Sequence, residues 1–136
     1  PHDNVKVILS GMSDMVQVED NLKTFKNFTP LSADEQALVA DTAASLKSRI
    51  RNGCTGCRYC MPCPAGVNIP GNFSIWNHYN VYGNKEQLQK SWDGLIDSEK
   101  AHNCVKCGKC EKVCPQKLSI RENLATLQKE LDEAVK

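Results

Sequence analysis

Apolar residues along this chain fall into a few short stripes separated by polar and turn-forming residues. The first, Val5-Lys6-Val7-Ile8-Leu9, is β-prone and ended by Ser10-Gly11, which predicts a short strand. Met15, Val18, Leu22 and Phe25 then recur at helical spacing, with Ser13 or Asp14 placed to cap the helix. Ser32-Ala33-Asp34-Glu35 is a capping box, in which hydroxyl and carboxylate each satisfy one free amide of the first turn. It opens a second helix whose stripe is Val39, Ala43, Leu46 and Ile50. Further on, Ile75, Tyr79 and Tyr82 mark a helix with Asn68 and Pro70 as start signals and Gly83 as its stop. Leu88, Trp92, Leu95 and Ile96 form another stripe, which Gly94 weakens by about 1 kcal/mol. Ser119-Ile120-Arg121-Glu122 is a second capping box, and Ile120, Leu124, Leu127 and Leu131 are the stripe behind it.

The fold class these stripes predict is mainly α. A lone five-residue strand cannot satisfy its own backbone hydrogen bonds, and one strand does not make a sheet. Residues 5–9 are therefore expected to pair with something outside this sequence or to be irregular. Pro1 stands where an initiator Met would be, so the chain is expected to be the end portion of a longer protein.

Composition removes several function classes. The 136 residues suit one domain or two small ones. Lys and Arg number 17 against 16 Asp and Glu, for a net charge of +1, which argues against a dedicated nucleic-acid binder. Mean hydropathy is −0.46, and no stretch approaches the ~20 apolar residues of a membrane span. Residues 1–9 lack the basic lead and long apolar run of a secretion signal. A soluble, cytoplasmic chain with no nucleic-acid or membrane partner is expected.

The chemistry is concentrated in the eight cysteines, all of which lie between Cys54 and Cys63 or between Cys104 and Cys114. Disulfide scaffolds scatter cysteines so that bridges close long loops, whereas three-residue steps converge thiolates on one inorganic centre. The second block reads Cys104-x2-Cys107-x2-Cys110-x3-Cys114-Pro115, which resembles the run of bacterial two-cluster ferredoxins. The first, Cys54-x2-Cys57-x2-Cys60-x2-Cys63-Pro64, is one residue shorter before its last cysteine. Gly56 and Gly108 are expected to let each loop fold tightly. In two-cluster ferredoxins the fourth cysteine of a block serves the other cluster. That scheme implies one [4Fe–4S] cluster on Cys54, Cys57, Cys60 and Cys114, and another on Cys104, Cys107, Cys110 and Cys63. The short Cys60–Cys63 gap singles out Cys63 as the member that departs from the pattern.

Zinc is the chief competitor, because four-thiolate sites also use C-x2-C knuckles. Zinc sites usually pair knuckles some distance apart and need neither three steps in a row nor Cys-Pro. Lys106, Lys109, Lys112 and Lys117 in the second block, and Arg49, Arg51 and Arg58 around the first, either favour a reduced anionic cluster and an acidic partner or form an ordinary solvated face. Trp76 and Trp92 read as core more than as shields of a metal. With eight thiols for eight positions, His78 and His102 read as non-ligands.

The N-terminal third carries a second resemblance. Val7-Ile8-Leu9-Ser10-Gly11-Met12-Ser13, Val18-Glu19-Asp20-Asn21-Leu22 and Leu31-Ser32-Ala33-Asp34-Glu35 resemble the end of an aldo/keto reductase barrel: last strand, E-x-N-like helix and a helix opened by a Leu-Ser turn. Residues 54–120, including Cys54-Thr-Gly-Cys-Arg-Tyr-Cys-Met-Pro-Cys-Pro-Ala-Gly-Val-Asn-Ile-Pro70, resemble the ferredoxin-like C-terminal extension of a prokaryotic branch of that family. The resemblance implies a terminal strand-helix-helix fragment of a (β/α)8 barrel over residues 1–50 and an α-helical ferredoxin-like dicluster domain over 51–136. It places Ser10, Gly11, Met12 and Ser13 at the phosphate end of a nicotinamide cofactor, NAD(P), in the full-length protein, with Asn21 nearby. No basic residue in that loop grips a 2′-phosphate, and the family's catalytic Tyr, Lys, Asp and His have no counterparts here.

The expected function is thus an iron–sulfur electron-transfer module of an oxidoreductase, fused to an aldo/keto reductase barrel and inactive as a catalyst alone. Its partners would be the missing barrel of its own chain and a redox protein, flavin or nicotinamide centre. The alternative is a structural module whose metal, cluster or zinc, holds the fold without changing redox state.

Overall fold

The computed structural model describes residues 4–135, which fall into two compact units divided between Thr42 and Ala43. In the first unit Val5–Leu9 is irregular and exposed, with Leu9 at 91% of its free surface. The strand predicted there is absent, as are strands throughout the described residues. A single run has no neighbour to accept its amides, so the β-propensity of Val and Ile has nothing to act on.

Helix α1 spans Met15–Lys26, and Asp14 caps it by accepting from the Gln17 amide at 3.0 Å. Helix α2 spans Ala33–Arg49 and opens with the predicted box. The Ser32 amide donates to Glu35 Oε2 at 2.8 Å and the Glu35 amide to Ser32 Oγ at 3.3 Å. The Ser32 amide, and after it the Ser32 hydroxyl at 2.9 Å, donate to the Glu35 carboxylate and hold it below its usual range. Neither helix buries a residue: Leu22, Phe25, Leu38, Val39 and Leu46 all lie on open surface. The division between units falls within α2.

The second unit contains the core. Helix α3 spans Ile69–Tyr82, α4 Lys85–Asp93, the one-turn α5 Lys109–Lys112 and α6 Ile120–Ala134, with two 3-10 turns at Asp97–Glu99 and Ala101–Asn103. The predicted ends of α3 are found: Asn68 Oδ1 accepts from the Gly71 amide at 3.2 Å, and Gly83 terminates the helix in the left-handed region at φ 67°. Its buried face is a different one, Ile69, Phe73 and Trp76, while Ile75 and Tyr79 are half-buried and Tyr82 is exposed. Two stripes of equal period run along this helix, and the position of α6 selects which one is covered. Helix α4 ends before Gly94, so the glycine serves as its cap instead of interrupting it, and only Leu88 and Trp92 of that stripe are buried. The α6 stripe is as predicted: Ile120, Leu124, Leu127 and Leu131 are all buried, the last two completely.

The expected Ser119–Glu122 box does not form, and Ser119 makes no side-chain cap. Glu111 takes its place from outside the helix, accepting the Arg121 amide at 2.9 Å and the Arg121 Nε–H at 2.9 Å. Polar side chains bolt the helices together. Glu130 accepts the Trp76 indole N–H at 2.7 Å and pairs with Arg51, whose guanidinium lies 5.6 Å from the Trp76 ring centre. Fully buried Asn72 donates to the carbonyls of Asn68 and Glu99, both at 2.8 Å, and accepts from the Ala101 amide at 3.1 Å. It therefore fixes the turn that delivers Cys104. Both tryptophans are core residues, 3–4% exposed.

Candidate metal centre

Each cysteine block feeds a helix in the same way. After Cys63-Pro64 and Cys114-Pro115, a turn closes from the Gly66 amide to the Cys63 carbonyl at 2.9 Å, and from the Lys117 amide to the Cys114 carbonyl at 3.1 Å. Helices α3 and α6 then start at Ile69 and Ile120. The repeat evident in the cysteines therefore extends into both helices, with Phe73 matched by Leu124 and Trp76 by Leu127 in the core.

The backbone repeats as well. Gly56 at φ 69° corresponds to Lys106 at 54°, Arg58 at 65° to Gly108 at 75°, and Gly66 at 79° to Lys117 at 50°. Gly56 and Gly108 thus occupy the tight positions predicted. At Arg58, Lys106 and Lys117 side-chain-bearing residues adopt the same conformation, which costs about 1–2 kcal/mol at each and is invisible in composition. A left-handed residue within a right-handed run aims successive amides to one side, the nest geometry that receives anions and iron–sulfur groups.

The eight cysteines, all free thiols, divide between two adjoining cavities. Cys54, Cys57, Cys60 and Cys114 line one of about 20 Å³, walled by Ile69, Pro70, Phe73, Leu118 and Ile120. Cys63, Cys104, Cys107 and Cys110 line a second of about 190 Å³, where Cys60 also reaches the wall. The first cavity thus draws three thiols from its own block and Cys114 from the other, and the second draws three from its own block and both Cys63 and Cys60 from the other. Burial pushes the Cys60 thiol up, and the neighbouring Cys54, Cys57 and Cys114 add to the shift as like charges. Burial also raises Cys110, reinforced by Glu111 and Cys104. Among the described residues no group of three or more His, Cys, Asp or Glu side chains is drawn together tightly enough to hold a metal ion.

Four thiols around each of two small cavities is the donor set a [4Fe–4S] cluster takes. One orphaned group lies two residues before the first block. Asn52 is buried, its Oδ1 accepts from the Cys54 amide at 3.0 Å, and its Nδ2 has no partner among the described residues. Such a donor costs about 1–3 kcal/mol until an acceptor arrives. Nothing in the motif reading pointed to Asn52, Asn72 or Arg121, which act through tertiary neighbours. His102 turns to Asp97 at 3.3 Å and His78 packs on Tyr82 with ring centres 4.7 Å apart. The second cavity is lined by Lys106, Lys109 and Arg121, the first by Arg58 alone among charged residues.

Ser10, Gly11, Met12 and Ser13 form an exposed, irregular approach to α1. The Asn21 amide reaches Ser10 Oγ at 3.4 Å, and the Ser13 amide donates to Gln17 Oε1 at 2.6 Å. No helix among the described residues is long and apolar enough to cross a membrane.

No curated protein and no solved structure matches the chain. The aldo/keto reductase resemblance of residues 4–50 therefore has no support from comparison. Residues 53–118, just under half of the chain, match the family model described as the 4Fe-4S dicluster domain. The match supports an iron–sulfur, metal-binding segment of the electron-transfer kind, and it spans all eight cysteines.

Proposed function

We propose that this chain is the electron-transfer module of an oxidoreductase and holds two [4Fe–4S] clusters. Cys54, Cys57, Cys60 and Cys114 hold one, and Cys104, Cys107, Cys110 and Cys63 the other. The observation that carries this is the gathering of all eight thiols around two adjoining cavities, each completed from the opposite block, with Cys60 at the wall of both. A bound [4Fe–4S] cluster supplies a one-electron redox couple. The chain's part is to hold the thiols apart at the cavity walls and to turn loop amides inward. Ile69, Phe73, Leu118 and Ile120 keep water from the smaller site. Because ligating thiols must lose their protons, the raised Cys60 and Cys110 make loading proton-coupled, with metal uptake releasing protons.

We further infer that residues 1–50 are the end of an aldo/keto reductase-type barrel, with Ser10–Ser13 near a nicotinamide phosphate in the full-length, cytoplasmic protein. In support, the apolar residues of α1 and α2 are unburied, as expected of helices made to lie against a larger body. The residues described here include no catalytic set for that chemistry.

Anaerobic loading with iron and sulfide tests the metal assignment. About eight irons and eight sulfides per chain, bleached by dithionite, is the expected result. About two zinc ions and no visible absorbance refutes it. Cys114→Ser tests the crossing: it should damage the cluster of Cys54, Cys57 and Cys60. Loss confined to the cluster of Cys104, Cys107 and Cys110 refutes it.

A further inference from the structure

The two cavities, related by the internal repeat, differ in charge. Lys106, Lys109 and Arg121 line the Cys63/Cys104/Cys107/Cys110 cavity, and no carboxylate does. The Cys54/Cys57/Cys60/Cys114 cavity has apolar walls and a single cation, Arg58. The difference is anchored at one place. Arg121 lies at the start of α6 and is fixed on Glu111 by a 2.9 Å Nε–H bond, a 2.7 Å Nη2 contact and its own amide. Its guanidinium carbon passes 3.6 Å from the Cβ position of Gly108, in the middle of the second cysteine loop. The cation therefore lies within van der Waals reach of the loop backbone. In the first repeat the positions of Arg121 and Glu111 are occupied by Pro70 and Met61, so no such clamp exists there.

Resting on the two-cluster reading, we infer that Arg121 makes the centre held by Cys63, Cys104, Cys107 and Cys110 the more easily reduced of the two. Reduction adds negative charge. Three nearby cations and a roomier cavity favour that charge, while an apolar enclosure opposes it. With Glu111 counted against Lys106, Lys109 and Arg121, the second cavity keeps a net excess of one positive charge over the first, and that charge decides the order. Glu111 lowers the gain from Arg121 but also holds it in place, so Arg121 is a positioning charge and touches no reacting atom.

Electron paramagnetic resonance during an anaerobic redox titration of the loaded chain reads both centres. Two midpoints are expected, the upper one belonging to the centre that Cys107→Ser perturbs. Arg121→Gln should lower the reduction equilibrium of that centre about tenfold, or about 59 mV for one electron, and leave the other unmoved. Arg121→Lys keeps the charge and should stay within about threefold of wild type. Coincident midpoints, a shift on the other centre, or an Arg121→Lys loss equal to that of Arg121→Gln overturns the inference while leaving two clusters intact. A chain with no reducible centre refutes the cluster assignment itself.

Discussion

Asn72 is the residue whose replacement should be felt furthest from its own position. It is fully buried, and its carboxamide spans α3 and the turn before Cys104 through three hydrogen bonds of 2.8–3.1 Å. Asn72→Leu keeps the branched shape and heavy-atom count, adds some volume and removes the bonds. The Asn68 carbonyl retains the Asn72 amide at 3.0 Å and the Glu99 carbonyl retains the Asn68 amide at 3.0 Å, so these acceptors are not orphaned. The Ala101 amide has no such reserve and is left unpaired in the interior. That desolvated donor costs about 1–3 kcal/mol and each other bond a net 0.5–1.5, against which the added leucine carbons return part, for about 2–4 kcal/mol in all. At 1.36 kcal/mol per tenfold, protection from hydrogen exchange in α3 and in residues 97–103 should fall about 30- to 1,000-fold. Mass spectrometry of the loaded protein reads it, and iron should leave the second cavity faster. Asn123, the matching residue of the other repeat, is only half-buried, and Asn123→Leu should change stability by about 0.5 kcal/mol or less. A fall under about fivefold for Asn72→Leu, or equal falls for the two variants, would refute the reasoning.

Two further predictions concern the loop backbone and the first capping box. Gly56 and Lys106 share one left-handed position, so substitutions there should have opposite signs: Gly56→Ala, which meets no atom within 4 Å, should cost about 1–2 kcal/mol of backbone energy. Lys106→Gly should gain about 0.5–1 kcal/mol after the entropy of glycine is subtracted, with thermal melts of the loaded chain as the measure and equal signs as the contrary result. For Glu35, whose hydrogen bonds to Ser32 hold its folded value below the ordinary one, the box contributes above the ordinary glutamate range and is lost as pH falls through the lowered value. A carboxyl titration by nuclear magnetic resonance should find Glu35 low, and Ser32→Ala, which removes the hydroxyl but keeps the backbone amide, should restore it only in part; an unshifted Glu35 would show that the box does not form.

The sequence by itself determined what depends on neighbours within a few residues. The capping boundary at Ser32–Glu35, the left-handed stop at Gly83, the buried stripe of α6 and the tight glycines of both cysteine loops are local matters of sterics and hydrogen bonding. So is the three-step spacing that marks the thiols. Tertiary structure decided everything that needed a second element. It chose Ile69, Phe73 and Trp76 over Ile75, Tyr79 and Tyr82, because α6 covers one face of α3 and periodicity alone does not say which. It replaced the Ser119 cap with Glu111, an acceptor eight residues earlier in the chain that no i, i+3 rule contains. It left Val5–Leu9 irregular, because a strand exists only beside another strand. It also brought Cys114 to the cavity of Cys54 and Cys63 to that of Cys104, across a separation in sequence that spacing within a block does not encode.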